Sequence, residues 1–277
     1  MTYRLLPAWL VLFTLVPTLM VVAVSFLTRD EAGFIAAIPT LENYQRLLDP
    51  LYLKVFLKSA MTAGLATLIC LLIAYPFAWL LSRLGPARRS ILLTLVIVPF
   101  WTNSLVRVYA VRGLLAAKGL MNSVLTGLGL IDEPIRLLYS GWAVQLGLVY
   151  VLLPFMILPL YSSFEKLDHR LLEAAADLGA NRLARFRGII IPLTAPGIAA
   201  GCLLVFLPAL GMFYVSDILG GARNLLIGGL LKDQFLDARD WPFGSAASVV
   251  MIGLLLLLLS LYRLAQRQAG ETVPVDG

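Results

Sequence analysis

The chain has 277 residues, 60% of them hydrophobic and only 14% charged. A soluble domain carries about 25% charged residues, so this composition disfavours a soluble fold before any motif is read, and the apolar runs decide the matter. The net charge of +6 is spread over many short segments. That spread excludes the single basic patch of a nucleic-acid binder and suits anionic membrane lipid instead.

In chain order, six charge-free windows stand out: residues 5–27, 59–82, 90–106, 137–164, 188–216 and 241–262. A membrane-spanning helix needs about 17–25 apolar residues. The third window is short but extends past Arg107 to Val111, and the next longest, 119–131, is too short to span. The predicted architecture is an all-α membrane protein with six transmembrane helices. They lie at about 5–27, 59–82, 90–111, 141–164, 193–216 and 243–262, in a single transmembrane domain over 1–277. Lipid offers no partners to backbone amides, so spans must be helices or closed barrels. Runs this long without alternation exclude the barrel. Ala23-Val24-Ser25 has the form of a signal-peptide cleavage site. The run before it exceeds the ~7–15 apolar residues of a signal core, so an uncleaved first span is expected.

Pro17, Pro76, Pro99, Pro154, Pro159, Pro196 and Pro208 all fall inside these spans, and each removes a backbone donor and tends to kink a helix. Cys70 and Cys202 also lie within spans; they read as small packing residues, not as a disulfide or zinc site. Segments 28–58, 112–136 and 217–240 are long enough to hold short interfacial helices. Gly197 and Gly201 form a G-x-x-x-G pair that permits close helix approach, within the chain or against another subunit. With the N-terminus inside, lysines and arginines divide equally, eleven to each side. The short turn 82–90 concentrates Arg83, Arg88 and Arg89, and this density favours N- and C-termini in the cytoplasm.

On that orientation, 165–191 is the one long inner loop. Asp168 is a good helix N-cap and Gly179 a good helix stop. Leu171, Leu172, Ala175 and Leu178 share one face at helical spacing, opposite charged residues. A short amphipathic helix exposed at the cytoplasmic surface fits a partner's groove or the membrane surface. Its small, alanine-rich face without an aromatic suits the groove better. His169 reads as a solvated or interface residue.

The string Glu173-Ala174-Ala175, then Gly179, then Ile189-Ile190-Ile191-Pro192 closing the loop, resembles the EAA loop of type I ATP-binding cassette (ABC) importer permeases, the MetI-like architecture. The likeness extends along most of the chain to the PotB-type permeases of spermidine/putrescine importers. It is carried by Tyr44-Gln45-Arg46-Leu47-Leu48-Asp49-Pro50, Val98-Pro99-Phe100-Trp101-Thr102-Asn103-Ser104, Phe213-Tyr214-Val215-Ser216-Asp217 and Arg239-Asp240-Trp241-Pro242-Phe243-Gly244. The resemblance implies a permease in the bacterial inner membrane, paired with a second homologous permease, a cytoplasmic ATPase dimer and a periplasmic substrate-binding protein. It also implies that Asp168, Leu171, Leu172, Glu173, Ala174, Ala175, Leu178, Gly179 and Pro192 form or flank the helix that engages the ATPase.

The chain has no phosphate-binding G-x-x-x-x-G-K-[ST] loop and no nucleophile–base set. It is expected to be no enzyme and to carry no cofactor. A polyamine needs carboxylates for its amines and aromatic faces for its cationic ends. The spans hold no acid, so the candidates for the substrate pathway are the polar and aromatic residues at span ends: Trp101, Asn103, Tyr109, Phe213, Tyr214, Asp217, Asp240 and Trp241. Such aromatics also serve as interfacial belts. Two rival readings stand beside this one: the same machine carrying another small solute, and an ATP-independent secondary transporter. The latter often places ionisable residues in mid-span.

Overall fold

The computed structural model describes residues 2–30, 34–221 and 224–271, without side-chain detail at 2–8, 169, 261 and 265–271. Arg4, His169 and Arg267 therefore have side chains outside the described residues. The described chain forms two compact units, 1–58 with 226–277, and 59–225.

The first unit opens with α1 (Thr2–Ser25), followed by a short antiparallel pair, β1 (Leu27–Thr28) with β2 (Ala36–Pro39), and by α2 (Glu42–Leu47). The next helix, α3 (Pro50–Ser82), begins in this unit and continues into the other. The α1–α2 link is held by polar bonds: the Asn43 amide donates to the carbonyls of Ser25 (3.1 Å) and Leu27 (2.8 Å), and the Ser25 and Tyr44 hydroxyls share a hydrogen bond. Buried Leu47 meets Phe243, Ala246 and Ala247 of the last helix, with Tyr44, Tyr52 and Phe56 packed around them.

In the second unit, α3 presents a buried seam of Ala63, Ala66, Cys70, Ala74 and Ala78 at three- and four-residue spacing. Small residues on one stripe let backbones approach closely, and Cys70 is the packing residue its sequence context suggested. The thiol's sulfur lies 3.9 Å from the carbonyl of Val149.

Residues 86–127 then make α4 (Pro86–Ile97), a 3₁₀ turn (Val98–Trp101), α5 (Ser104–Leu115) and α6 (Leu120–Gly127). The expected third span is thus not one straight helix: its two halves meet at 95°. Pro99 lies in the tight turn. Asn103 restarts the chain as the N-cap of α5, its Oδ1 accepting from the Leu105 amide at 2.8 Å. A side-chain cap satisfies an amide that has no helical partner, and so stabilises the break.

Next come α7 (Gly141–Glu165), α8 (His169–Asp177) and α9 (Arg182–Arg185). A π-helical turn (Phe186–Ile190) runs directly into α10 (Ile191–Gly211). The expected fifth span therefore begins at Arg182 and forms one 30-residue helix to Gly211. Ile189–Pro192 are part of that helix and do not close a loop. Pro192 has no amide hydrogen to continue α bonding, and the turn before it widens so that the Ile191 amide bonds Phe186.

Gly197 and Gly201 resolve where their pattern packs. A Cβ at Gly197 would meet Ser163, and the Pro159 carbonyl at 2.8 Å; one at Gly201 would lie 2.6 Å from the Met156 sulfur. The pair brings α10 onto α7 within the chain. Beyond Met212 follow α11 (Phe213–Val215) and a π-helical turn (Ser216–Gly220) ending at Gly221, whose φ is +62°.

The first unit closes with α12 (Ile227–Lys232), a π-helical turn (Asp233–Asp237) and α13 (Trp241–Glu271), which packs along α1. Among the described residues, four helices are long and apolar enough to cross a membrane, or five with the bent pair as one span. Trp9–Ser25 is a shorter apolar helix. Five of the six windows read as spans each hold one apolar helix, and the third holds the bent pair. Pro76, Pro154, Pro159, Pro196 and Pro208 lie inside unbroken helices.

Candidate functional site

The helix α8 is built as its sequence indicates. Asp168 caps it, Oδ1 accepting from the Arg170 amide at 2.9 Å. Its end is a Schellman motif. The amides of Gly179 and Ala180 bond the carbonyls of Ala176 and Ala175, both at 2.9 Å, and Gly179 turns at φ +83°. A left-handed turn is strained for any residue with a Cβ. This is the position in the loop where the backbone itself selects glycine.

The apolar stripe divides between two surroundings. Leu172 is buried and Ala175 half-buried, while Leu171 is exposed and Leu178 is 88% exposed. Ala174 is exposed on the same side as Leu171 and Leu178, and Glu173 is exposed as well. The helix thus holds its own chain through Leu172 and offers Leu171, Ala174 and Leu178 outward. The expectation of one shared apolar face is corrected in this respect. Leu171 and Leu172 differ by about 100° around the axis, enough to separate the two roles.

Beneath Leu172 lies a groove of about 670 Å³ whose walls include Tyr75, Trp79, Arg83, Arg185 and Phe186. Its aromatic floor is interlocked. Tyr75 and Trp79 each meet Phe164 edge-on at 5.1 and 5.2 Å, and Tyr75 meets Phe186 at 6.0 Å. The Arg83 guanidinium stacks over Trp79 at 4.0 Å. Arg185 donates to the Leu172 carbonyl at 3.3 Å, and Tyr75 and Thr194 share a hydroxyl hydrogen bond of 3.1 Å. These residues tie α3, α7 and α10 to α8, and the sequence reading missed them. Tyr75 and Trp79 at i and i+4 near the end of a span carried the available signal.

At the other end of α10, the Tyr214 hydroxyl donates to Ser104 Oγ at 3.0 Å. This brings α11 to the start of α5, beside the break that carries Asn103 and Trp101. Trp101 is 82% exposed, and Tyr109, Phe213 and Asp217 are exposed. Phe213 meets Tyr214 edge-on, and the turn holding Asp217 packs on α5 and α7. Asn103 is engaged in capping, as described above.

Asp240 and Trp241 belong to the first unit and have different surroundings. The Asp240 side chain is 3% exposed; Oδ2 pairs with Arg46 at 2.9 Å and Oδ1 accepts from the Phe243 amide at 3.2 Å. It is the N-cap of α13, bonding the third residue because Pro242 has no amide hydrogen. Arg46 also stacks on Phe243 at 4.3 Å. Trp241 lies against Phe34 at 5.3 Å and Phe235 at 6.3 Å.

Comparison with known proteins places this arrangement. The family model described as "Binding-protein-dependent transport system inner membrane component" matches residues 71–269. The chain is 56% identical over 268 residues to the spermidine/putrescine transport system permease protein PotB of Escherichia coli (strain K12), covering 97% of this chain and 98% of that protein. It is 53% identical over 275 residues to the Haemophilus influenzae protein of the same name, covering 99% and 96%. Among solved structures it is similar to a chain of a bacterial alginate ABC transporter crystallised with an alginate pentasaccharide-bound periplasmic protein. That match has a TM-score of 0.77 over 96% of this chain and 93% of the other, at 16% identity, which is a likeness of fold. The chain belongs to the family of binding-protein-dependent transport system inner membrane components.

Proposed function

We propose that the chain is the translocating subunit of an ATP-driven importer of spermidine and putrescine. The observation that carries the reading is α8: a capped, glycine-stopped helix that leaves Leu171, Ala174 and Leu178 exposed in a chain 56% identical to a spermidine/putrescine permease. An exposed apolar ridge on a short helix suits a partner's groove, here that of a cytoplasmic ATPase dimer. The reading places both termini and α8 in the cytoplasm, a second homologous permease beside this one, and a binding protein delivering cargo from the periplasm.

ATP-driven closure of the ATPases would move α8. Leu172 and Arg185 would pass that movement to the groove shared by α3, α7 and α10. For the cargo, Trp101, Tyr109, Phe213 and Tyr214 offer aromatic faces and Asp217 a carboxylate, around the break between α4 and α5. A flexible polycation is held weakly by such a set, which suits passage. Asp240 is better understood as the foundation of α13 than as a pathway residue, because Arg46 and the helix start already occupy its carboxylate.

The test is reconstitution of the tagged chain with its co-purifying subunits in liposomes. Spermidine-loaded binding protein should stimulate ATP hydrolysis and uptake together. Glu173→Lys should leave an inserted complex whose ATPase no longer responds, and Asp217→Asn should lower uptake while basal ATPase persists. Stimulation by another loaded solute but not by polyamines would overturn the cargo. Uptake without ATP would overturn the class.

A further inference from the structure

Arg107, on α5, is the one charged side chain named in the third predicted span. It is 8% exposed, and its Nε and Nη1 are buried without an acceptor among the described residues. Three N–H bonds of a fixed cation are therefore unused. Among the described residues its ring contact is distant, 5.7 Å to the Phe100 centroid. Gln145, on α7, spends its amide on the Thr62 carbonyl at 3.0 Å, yet its Oε1 is buried without a donor. An isolated guanidinium in apolar surroundings is costly unless an anion joins it.

Both groups line a cleft of about 640 Å³ whose other walls are aliphatic and aromatic. A second cleft of about 220 Å³ shares Val111, Leu114 and Leu146 with the first and extends to Met121 and Val124. Trp142, 79% exposed, stands at the mouth at the start of α7, a position typical of the headgroup level. Gln145 is three residues further, about 5 Å along the axis. One cation near headgroup depth thus lines the first of two adjacent apolar lobes, which share Val111, Leu114 and Leu146 as a wall and open where Leu114, Leu146 and Tyr150 are exposed. A carboxylate from a neighbouring helix, or free phosphate, would answer the charge and leave both lobes empty.

We infer that the cleft between α5 and α7 binds a membrane glycerophospholipid, its phosphodiester on Arg107 and its acyl chains in the two lobes. A phosphodiester matches the guanidinium fork, and it is the lipid's acyl chains that would also fill the lobes. With the termini in the cytoplasm the site lies in the outer leaflet. It leaves the proposed ATPase face untouched.

Native mass spectrometry of the assembled transporter, purified in mild detergent, tests this. The wild-type complex should retain a phospholipid on this subunit. Arg107→Gln should retain about tenfold less, the loss of one charge-assisted contact. Leu146→Trp, which fills the shared wall but keeps the cation, should lose it as well, and so decides the matter if Arg107→Gln fails to assemble. After delipidation, dioleoyl phosphatidylglycerol should rebind, whereas dioleoylglycerol and inorganic phosphate should not. Equal retention by both variants overturns the site, as does inorganic phosphate binding as tightly as lipid. A photo-crosslinker at position 146 that captures the second permease instead of lipid overturns it too, making the cleft a protein interface.

Discussion

Two aspartates show how surroundings divide residues that look alike in sequence. Asp217 is exposed on a turn beside α5, whereas Asp240 is buried on Arg46 and on the start of α13. Breaking a buried pair leaves an uncompensated charge. Arg46 is 39% exposed, however, so solvent softens the loss to about 1–3 kcal/mol, including about 1 kcal/mol for the cap. Asp240→Ala should therefore lower the thermal midpoint of the purified complex and the amount inserted, with uptake per molecule unchanged. Asp217→Asn should do the reverse. A normal midpoint for Asp240→Ala would return that residue to the pathway. Gly179 offers a backbone test of the same kind. Nothing lies within 4 Å of a Cβ built there, and φ is +83°, so a substitution meets only strain. Asn tolerates this conformation and a β-branched residue does not. Gly179→Asn should keep ATPase stimulation and Gly179→Val lose it, by about 1–2 kcal/mol of helix termination. Equal behaviour would mean that the turn does not matter for coupling.

At the scale of elements, the long charge-free windows were legible because lipid forces their backbones into helices. The end of α8 was legible because Gly179 is a local signal that needs no tertiary knowledge. The start of the helix Arg182–Gly211 was not. Arg182, Arg185 and Arg187 suggested a loop, yet Asn181 caps a helix there, accepting from the Ala184 amide at 2.8 Å. Basic residues in the first turns of a span are compatible with helix when their heads reach the membrane surface. The break at residues 98–103 was half legible. Pro99 predicts a kink, but proline alone does not decide, since the six other span prolines lie in continuous helices. The Asn103 cap makes the difference. The split of the α8 stripe depends on what α3 and the π-helical turn place under Leu172, which no local pattern encodes. The Gly197–Gly201 pair was a clear packing signal with an open partner, now α7. Gly197→Ala would push a Cβ onto the Pro159 carbonyl, 2.8 Å away. Backbone yields poorly, so the expected loss is about 1–3 kcal/mol, read as a lower thermal midpoint. Gly113→Ala, where nothing lies within 4 Å, should show no such loss.

For the molecule as a whole, the two candidate regions of the second unit are joined by a single element. The helix Arg182–Gly211 starts at the groove under α8 and spans about 45 Å at the helical rise. Just beyond it Tyr214 reaches Ser104 at the break in the third span. On the proposed coupling, a push on α8 would reach Trp79, Phe186 and their neighbours, and the helix packed on α7 would carry the displacement toward Tyr214. Energetic coupling between remote sites needs such an element with two arrangements that both ends bias. A double-mutant cycle measures it. Trp79→Ala loosens the receiving end and Tyr214→Phe removes the hydroxyl at the other. Residues this far apart with no shared partner ordinarily add within about 0.3–0.5 kcal/mol. If α10 is the lever, the double mutant's loss of binding-protein-stimulated uptake should depart from the sum of the single losses by more than that. Each single variant should also lower uptake per ATP hydrolysed. Strict additivity would show that the two ends act independently, and would leave α8 able to switch the ATPase without moving the helix that leads to Tyr214.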